Sequence, residues 1–412
     1  MPTSVSAQGE PRDRADGSRA HGRRRWRAVE GSASRTPAGE ELHARFSVDY
    51  SYAVHFTRDV LDPENPLLAR TVTADHGAVV LPVLDAGMLS CHPTLPQRLE
   101  TYARGHPDRL RLAGPPVVLP GGELVKEDTR HVEAILAAID ERGIDRHSYV
   151  LAIGGGAFLD VAGYATAVAH RGVRLVRMPT TVLAQNDAGI GVKNGLNAYG
   201  KKNFLGTFAP PSAVIDDELF LTTLCDRDWR AGTSEAIKVA LLKDAAFFAA
   251  LEGLAPAVGA RDLDAMSTLI RRCTELHLAH IAGAGDPFEM GSARPLDFGH
   301  WSAHKLERLS GLRLRHGEAV AIGIALDATY AHLAGMLAAA EWRRVLALLQ
   351  AFGLALLAPE LDDPRLLDGL AEFREHLGGR LTVVLVQAIG ASVEVHEIDQ
   401  ALMRRAVREL RK

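Results

Sequence analysis

The run Tyr149-Val150-Leu151-Ala152-Ile153, followed at once by Gly154-Gly155-Gly156, decides the architecture. Five apolar residues without alternation fit a strand buried on both faces, as in a parallel sheet. Three glycines at its carboxyl end permit a tight turn and close approach of backbone to a ligand. A helix is expected over 158–169, and its N-terminus would favour an anion. The triplet is not a G-x-G-x-x-G sequence, so by itself it fits either a pyrophosphate turn or a plain tight connection. Asp160, on that helix, reads as a ligand contact or as a solvent-facing acid.

Working outward, further strands are expected at 77–85, 110–119 and 174–178, with a helix over 130–142. Strands alternating with helices predict a parallel sheet whose ligands sit at the carboxyl ends of the strands. Beyond about residue 217 the pattern changes to long amphipathic stretches: 228–251, 261–283, 300–311, 316–338, 340–352 and 397–411. Only 381–386 and 393–395 read as extended, as a hairpin. The expected organisation is an Arg-rich disordered tail over 1–41, an α/β domain over 42–216 and a mainly α-helical domain over 217–412.

The chain of 412 residues is long enough for two cores, and its 47% apolar and 24% charged content is ordinary for a globular protein. A net charge of -4 gives no reason to expect nucleic acid or a membrane surface as partner. Three scattered cysteines imply neither a disulfide framework nor a Cys-based metal site, and a reducing cytoplasm fits. No apolar run reaches the ~18 residues of a membrane span.

Two segments carry chemistry. From Met178 through Pro179-Thr180-Thr181 to Gly206, the chain crowds glycines, amides, hydroxyls and the lysines Lys193, Lys201 and Lys202 into a stretch that reads as a polar loop over 184–206. Such donors suit a phosphate and a polyol; the plainer reading is a solvated basic loop. Further on come Glu235-Ala236-Ile237-Lys238, His300-Trp301-Ser302-Ala303-His304 and Arg315-His316-Gly317-Glu318. Glu235 and Lys238 share one helix face, as do His300 and His304. One carboxylate and two imidazoles on separate helices suit an open zinc site of three protein ligands. Each histidine alone would more simply be a hydrogen-bonded core residue.

Taken in order and spacing, these motifs resemble the sugar-phosphate cyclases of the 3-dehydroquinate synthase superfamily over roughly 77–400. They are the glycine triplet with Asp160, Arg171-Gly172, Pro179-Thr180-Thr181, Asp187 six residues before Lys193, Lys202-Asn203, Glu235-x-x-Lys238, and His300 sixteen residues before His316. The resemblance implies a Rossmann-like NAD-binding domain followed by a helical metal-binding domain. It implies zinc, or cobalt in its place, on Glu235, His300 and His316. It implies NAD at Asp85, Glu123, Lys126, Gly154, Gly155, Gly156, Asp160, Thr180, Thr181 and Lys202. Asp187, Lys193, Lys238, Asp297 and His304 are the implied catalytic residues; Arg171, Asn203 and Arg294 are the implied substrate contacts. Arg171 resembles an arginine that reaches the neighbouring subunit's site, which implies a homodimer. The implied chemistry is transient oxidation by NAD, elimination of phosphate, re-reduction and an intramolecular aldol closure.

Departures bear on the substrate. Asp297 stands where 3-dehydroquinate synthases usually carry Asn, a change associated with cyclases of sedoheptulose 7-phosphate. A lysine usual on the preceding helix is matched to His280. The C-terminal cation has no clean match, Arg374 and His376 being nearest. His304 is retained, which points back toward 3-dehydroquinate synthase proper. The expected reaction is therefore sedoheptulose 7-phosphate to a C7 cyclitol, with 3-deoxy-arabino-heptulosonate 7-phosphate to 3-dehydroquinate as the alternative. A metal-dependent polyol dehydrogenase would share the architecture, but Lys193, Lys202-Asn203 and the Glu235–Lys238 pair argue against it. A binding protein on a decayed scaffold would not be expected to keep all three zinc ligand types.

Overall fold

The computed structural model describes residues 26–28, 33–36, 39–42, 46–74, 77–283, 288–289, 296–376 and 379–412. Residues 1–52 and 53–412 are separate compact units. In the first, β1 (Trp26–Ala28) pairs antiparallel with β4 (Phe46–Val48), and β2 (Ala33–Thr36) with β3 (Gly39–Leu42). The tail expected over 1–41 lies mostly outside the described residues. Its three described pieces are paired strands. The β2–β3 pairing is local, with Thr36 opposite Gly39, and satisfies backbone groups within the hairpin.

The second unit begins with β5 (Ala53–Thr57), α1 (Leu67–Thr71), β6 (Ala78–Asp85), α2 (Ala86–Cys91), α3 (Leu95–Gly105), β7 (Leu110–Leu112) and β8 (Val117–Leu119). It continues with α4 (Arg130–Glu141), β9 (Tyr149–Gly154), α5 (Gly156–Val168), β10 (Arg174–Pro179), β11 (Lys193–Ala198), β12 (Lys201–Phe208) and β13 (Ala213–Asp217). Seven of these strands form one sheet in the order β5-β13-β10-β9-β6-β7, with β8 also on β6, and every pairing is parallel.

Side-chain alternation along β9 explains why its sequence is apolar throughout. Tyr149, Leu151 and Ile153 enter the core on one face, with Val80 and Met178; Val150 and Ala152 enter the other, with Val83 and Leu159. Helices cover both faces, as a parallel sheet requires. At the carboxyl edge, Leu84 pairs with Ile153 and Gly154 with Pro179, so Asp85, the glycine triplet and Thr180 emerge side by side. A Cβ on Gly154 would lie 2.4 Å from the Phe158 ring, and one on Gly156 2.8 Å from Ala188 Cβ. Gly154 and Gly156 are thus required by packing whatever binds there, whereas a Cβ on Gly155 would make only ordinary contact, 3.5 Å from Thr181 Cγ2.

After β13 come α6 (Asp226–Ala231), α7 (Thr233–Lys243), α8 (Ala245–Gly259), α9 (Leu263–Gly283), α10 (His300–Leu309), α11 (His316–Leu333), α12 (Ala339–Ala351), α13 (Asp368–His376) and α14 (Gln400–Glu409). A hairpin of β14 (Val383–Ala388) and β15 (Ala391–Val395) lies among them, where the sequence places it. These helices enclose the largest apolar core. No helix among the described residues is long and apolar enough to cross a membrane.

Three expectations are corrected. The strand expected over 110–119 is two strands, because Gly114, Pro115 and Pro116 interrupt it and proline cannot donate to a ladder. The helical stretch 228–251 is three helices; Asp244 ends α7 in an extended conformation and caps α8 by accepting from the N–H groups of Ala246 and Phe247. The polar loop expected over 184–206 is a π-helical turn (Ala184–Ala188) followed by the hairpin β11–β12.

A buried arginine anchors the start of that hairpin. Arg177, fully buried on β10, donates to Gly189 O (3.0 Å), Gly191 O (2.7 Å) and Asn194 Oδ1 (2.6 Å). Replacing Arg177 by Met should leave those acceptors without donors and cost about 3–5 kcal/mol. The expected result is a lower urea midpoint with an unchanged slope; an unchanged midpoint would contradict this role.

Candidate active site

The metal candidates converge. Ligand atoms of Glu235 on α7, His300 at the start of α10 and His316 at the start of α11 all lie within 4.8 Å of one another. Glu235 is fully buried; its Oε1 is 3.7 Å from His300 Nε2 and 3.6 Å from His316 Nε2. Each imidazole is held by its other nitrogen. His300 Nδ1 lies 3.0 Å from Phe298 O, and His316 Nδ1 lies 3.2 Å from Glu307 Oε2. A carbonyl and a carboxylate only accept, so both Nδ1 atoms carry a proton, and in the neutral rings both Nε2 lone pairs face Glu235. Burial would lower the His316 imidazole, but Glu307 raises it, so a metal there would displace a proton from Nε2.

The Glu235 carboxylate is the clearest sign of a missing partner. Lys238, one turn on, forms an ion pair with it, yet neither oxygen accepts a well-directed hydrogen bond. A buried carboxylate left so is expensive unless a cation completes it. One carboxylate and two Nε2 lone pairs fit a tetrahedral divalent ion with a vacant fourth position. Burial and the nearby Lys238 push the His300 imidazole down to about 3, leaving it neutral and able to ligate.

A second group, His304, Glu307 and His316, is also close enough to be considered. It is less apt. Lys202 Nζ lies 2.9 and 3.0 Å from the two Glu307 oxygens, and His316 takes one of them as well, so Glu307 is already satisfied by cations. Burial alone would raise the Glu307 carboxyl, but His316 and Lys202 hold it well below the usual range. Lys202 also pairs with Glu123 at 3.3 Å.

Asp187 sits in the π-helical turn beside this group. Its position is fixed by buried amides: Gln185 donates to Pro179 O and Asp217 O (both 3.0 Å), and Asn186 donates to Gly232 O (2.8 Å). Burial would raise the Asp187 carboxyl, but Lys238 and His277 hold it well below the usual range. Burial would lower Lys238, but Glu235 and Asp187 keep its ammonium charged. Asp297 contributes to the same field, acting on both Lys238 and His300. Burial, then Lys202, push the His304 imidazole well down; its ring centroid is 5.5 Å from that of His300 and 5.8 Å from that of His316.

The remaining candidates fall into two groups. At the sheet edge, Asp85 caps α2 by accepting from Gly87 N (2.7 Å), and Thr180 N donates to Gly154 O (3.0 Å). Lys126 pairs with Asp160 at 2.6 Å and donates to Asn203, so both sit with the sheet-edge residues. Lys193 is half-exposed and pairs with Glu289. Arg171 is exposed, with φ 62°, and makes no ion pair or hydrogen bond among the described residues. Arg374 is exposed on α13, and Arg294 lies outside the described residues.

Sequence reasoning missed three participants. His277, not His280, faces the centre: its Nδ1 is 3.1 Å from Asp187 Oδ1, whereas His280 lies 3.3 Å from Glu289. The two are i and i+3 on α9, and matching by spacing alone cannot choose between them. Glu307 was passed over although it follows His304 by three residues, on the face that points at His316. Glu289 sits in a stretch with no periodicity to mark it.

Two family models match in succession, 3-dehydroquinate synthase N-terminal over 116–231 and 3-dehydroquinate synthase C-terminal over 232–373. A 2-epi-5-epi-valiolone synthase of Streptomyces glaucescens is 35% identical over 352 residues, covering 84% of this chain and 87% of the relative. A 3-dehydroquinate synthase of Cereibacter sphaeroides is 37% identical over 305 residues, 72% of this chain and 81% of the relative. The solved ValA, a 2-epi-5-epi-valiolone synthase of Streptomyces hygroscopicus with NAD+ and Zn2+ bound, superposes with a TM-score of 0.79 at 34% identity, covering 88% of this chain and 97% of that one. The chain belongs to the 3-dehydroquinate synthase family of sugar-phosphate cyclases and is an enzyme, a carbon–oxygen lyase acting on phosphates.

Replacing His300 by Ala removes one of the three candidate ligands from a preformed scaffold. Bound metal should fall from about one ion per subunit to about none, with activity lost and circular dichroism unchanged. Elemental analysis checks this; active parent protein without metal would refute the site.

Proposed function

We propose that this enzyme converts sedoheptulose 7-phosphate to a C7 cyclitol with release of inorganic phosphate, using NAD and a divalent ion, zinc or cobalt. The observation that carries the reading is the buried, incompletely partnered Glu235 carboxylate facing two imidazole lone pairs, with Lys238 and Asp187 beside it. The solved 2-epi-5-epi-valiolone synthase holds NAD+ and Zn2+ on the same fold, which supports the cofactor assignment. The division of labour follows: within the second unit, residues 53–216 bind the dinucleotide, and 217–412 supply the metal ligands.

Glu235, His300 and His316 hold the metal, which as a Lewis acid lowers the pKa of a substrate hydroxyl. NAD at the carboxyl edge, between Asp85, the glycine triplet and Thr180–Thr181, accepts and returns a hydride. The N-terminus of α5 has no side-chain cap, so its N–H groups are available to the pyrophosphate. Lys238, held charged at the metal, steadies negative charge on a substrate oxygen; Asp187 fixes Lys238 and His277. Lys193, half-exposed and reached from Glu289, is suited to the leaving phosphate. Asn203 and the neutral His304 offer hydrogen bonds to hydroxyls.

Asp297 governs the choice of substrate. An anion there next to a substrate carboxylate costs several kcal/mol unless paired. Next to a hydroxyl it accepts a strong hydrogen bond. Sedoheptulose 7-phosphate, which lacks a carboxylate, should therefore exceed 3-deoxy-arabino-heptulosonate 7-phosphate by roughly tenfold or more in kcat/KM. Asp297→Asn should narrow or reverse the difference. Phosphate release and product mass with each sugar phosphate test this. Turnover of the heptulosonate alone would make the enzyme a 3-dehydroquinate synthase, a reading that the retained His304 favours.

The site is completed by a second subunit in this reading. Arg171 stands exposed in a left-handed turn and has no partner of its own among the described residues. Inactive Arg171→Ala and inactive Lys193→Ala subunits, mixed and exchanged, should regain up to about a quarter of parental activity, because one mixed-dimer site keeps both groups. Proven mixed dimers without activity would refute the shared site.

A further inference from the structure

Asp327 is the one charged residue among the buried residues of α11, and it is fully buried. Both Asp327 oxygens are used. Oδ1 accepts from the Trp301 indole N–H at 2.9 Å, and Oδ2 accepts from the Gly299 backbone N–H at 3.1 Å. Those two donors flank His300. The Gly299 N–H belongs to the peptide group whose carbonyl is that of Phe298, and Phe298 O accepts the His300 Nδ1 proton at 3.0 Å. One rigid peptide plane therefore joins Asp327 to the His300 ring, and its orientation fixes that of the imidazole.

The backbone packing agrees. Gly299 lies at φ 76°, and a Cβ there would be 2.8 Å from Ile324 N; a Cβ on Gly323 would be 2.1 Å from Gly299 O. α10 therefore starts in direct backbone contact with α11, one turn before Asp327. A buried carboxylate is a costly way to join two helices that already pack through apolar side chains. Its placement on either side of a metal-ligand candidate supplies the reason: it sets that ligand's direction.

We infer that Asp327, with Trp301, is a positioning residue of the metal centre, acting on His300 through the Phe298–Gly299 peptide. The inference rests on the metal reading above. Asparagine has the same size but one acceptor oxygen, and its NH2 would face one of the two donors. Asp327→Asn is expected to weaken Zn2+ binding about 10–100-fold in competition with a chromophoric chelator. It should also shift the visible bands of the Co2+-loaded protein, with circular dichroism unchanged. Trp301→Phe, which removes one donor, should weaken binding several-fold. Adding it to Asp327→Asn should recover part of the loss, since the amide oxygen can then turn to Gly299.

Val345→Ala, a cavity in the fully buried core of α12, serves as the stability control: it should lower the melting temperature without changing metal affinity. The inference is overturned if Asp327→Asn binds Zn2+ within about twofold of the parent with the same cobalt spectrum. It is equally overturned if Val345→Ala weakens Zn2+ binding as much as Asp327→Asn. Should Asp327→Asn fail to fold, Trp301→Phe decides, and unchanged metal affinity there counts against it. A parent protein that binds no metal would overturn the metal centre and this inference together; a metal-binding parent with an unaffected variant would overturn this inference alone.

Discussion

A carboxylate with no exposure to water and no well-directed hydrogen bond, Glu235, is the constraint around which the helical half is built. Such a group survives only if cations surround it. Lys238 supplies one from the same helix. The Nε2 atoms of His300 and His316 face it and, in the neutral rings, are fit to hold another. The first turns of α10 and α11 must therefore point at the first turn of α7, which carries Glu235, and the packing of the surrounding helices serves that convergence. Glu318 shows the same logic at the start of α11: it accepts from Arg315 N at 3.0 Å and pairs with Arg227 at 2.6 Å, fixing the turn that carries His316.

The sheet presents a different face of the same site. Its carboxyl edge brings Asp85, the glycine triplet and Thr180 into line, and the π-helical turn that follows β10 carries Asp187 across to Lys238. Two buried chains of charge tie the halves together. One runs from Lys238 through Asp187 to His277; the other runs from Glu123 through Lys202 and Glu307 to His316. At Asp187, Lys238, Lys202 and Glu307, burial disfavours the charged form and the neighbouring charges restore it. Cys273 lies beside the first, and burial together with Asp187 and Glu235 pushes its thiol well up, so it is unreactive there.

Local signals made much of this legible in the sequence. An apolar run ended by three glycines gave β9 and its turn, and period-3.6 patterns gave α4, α9, α10 and α12 nearly to their ends. The histidine spacing identified the groups that meet at Glu235. What could not be read depended on distant contacts. β5 and β13 are short, and their pairing is set by the sheet they join. The β11–β12 hairpin has an exposed strand alternating irregularly, and it is held by Arg177 from a different strand. His277 and His280 differ by one helical turn, and only the direction of α9 decides which faces Asp187. Asp327 looks like a lone acid in the buried stretch of α11 until Gly299 and Trp301 are seen to donate to it.

Anomalous diffraction at the zinc edge, from crystals of the zinc-loaded enzyme, tests the account most directly. A single strong peak is expected roughly 2.0–2.2 Å from His300 Nε2, His316 Nε2 and a Glu235 oxygen. A peak between His304, Glu307 and His316 instead, or no peak in active crystals, would contradict the claim that a metal ion completes the buried Glu235 carboxylate.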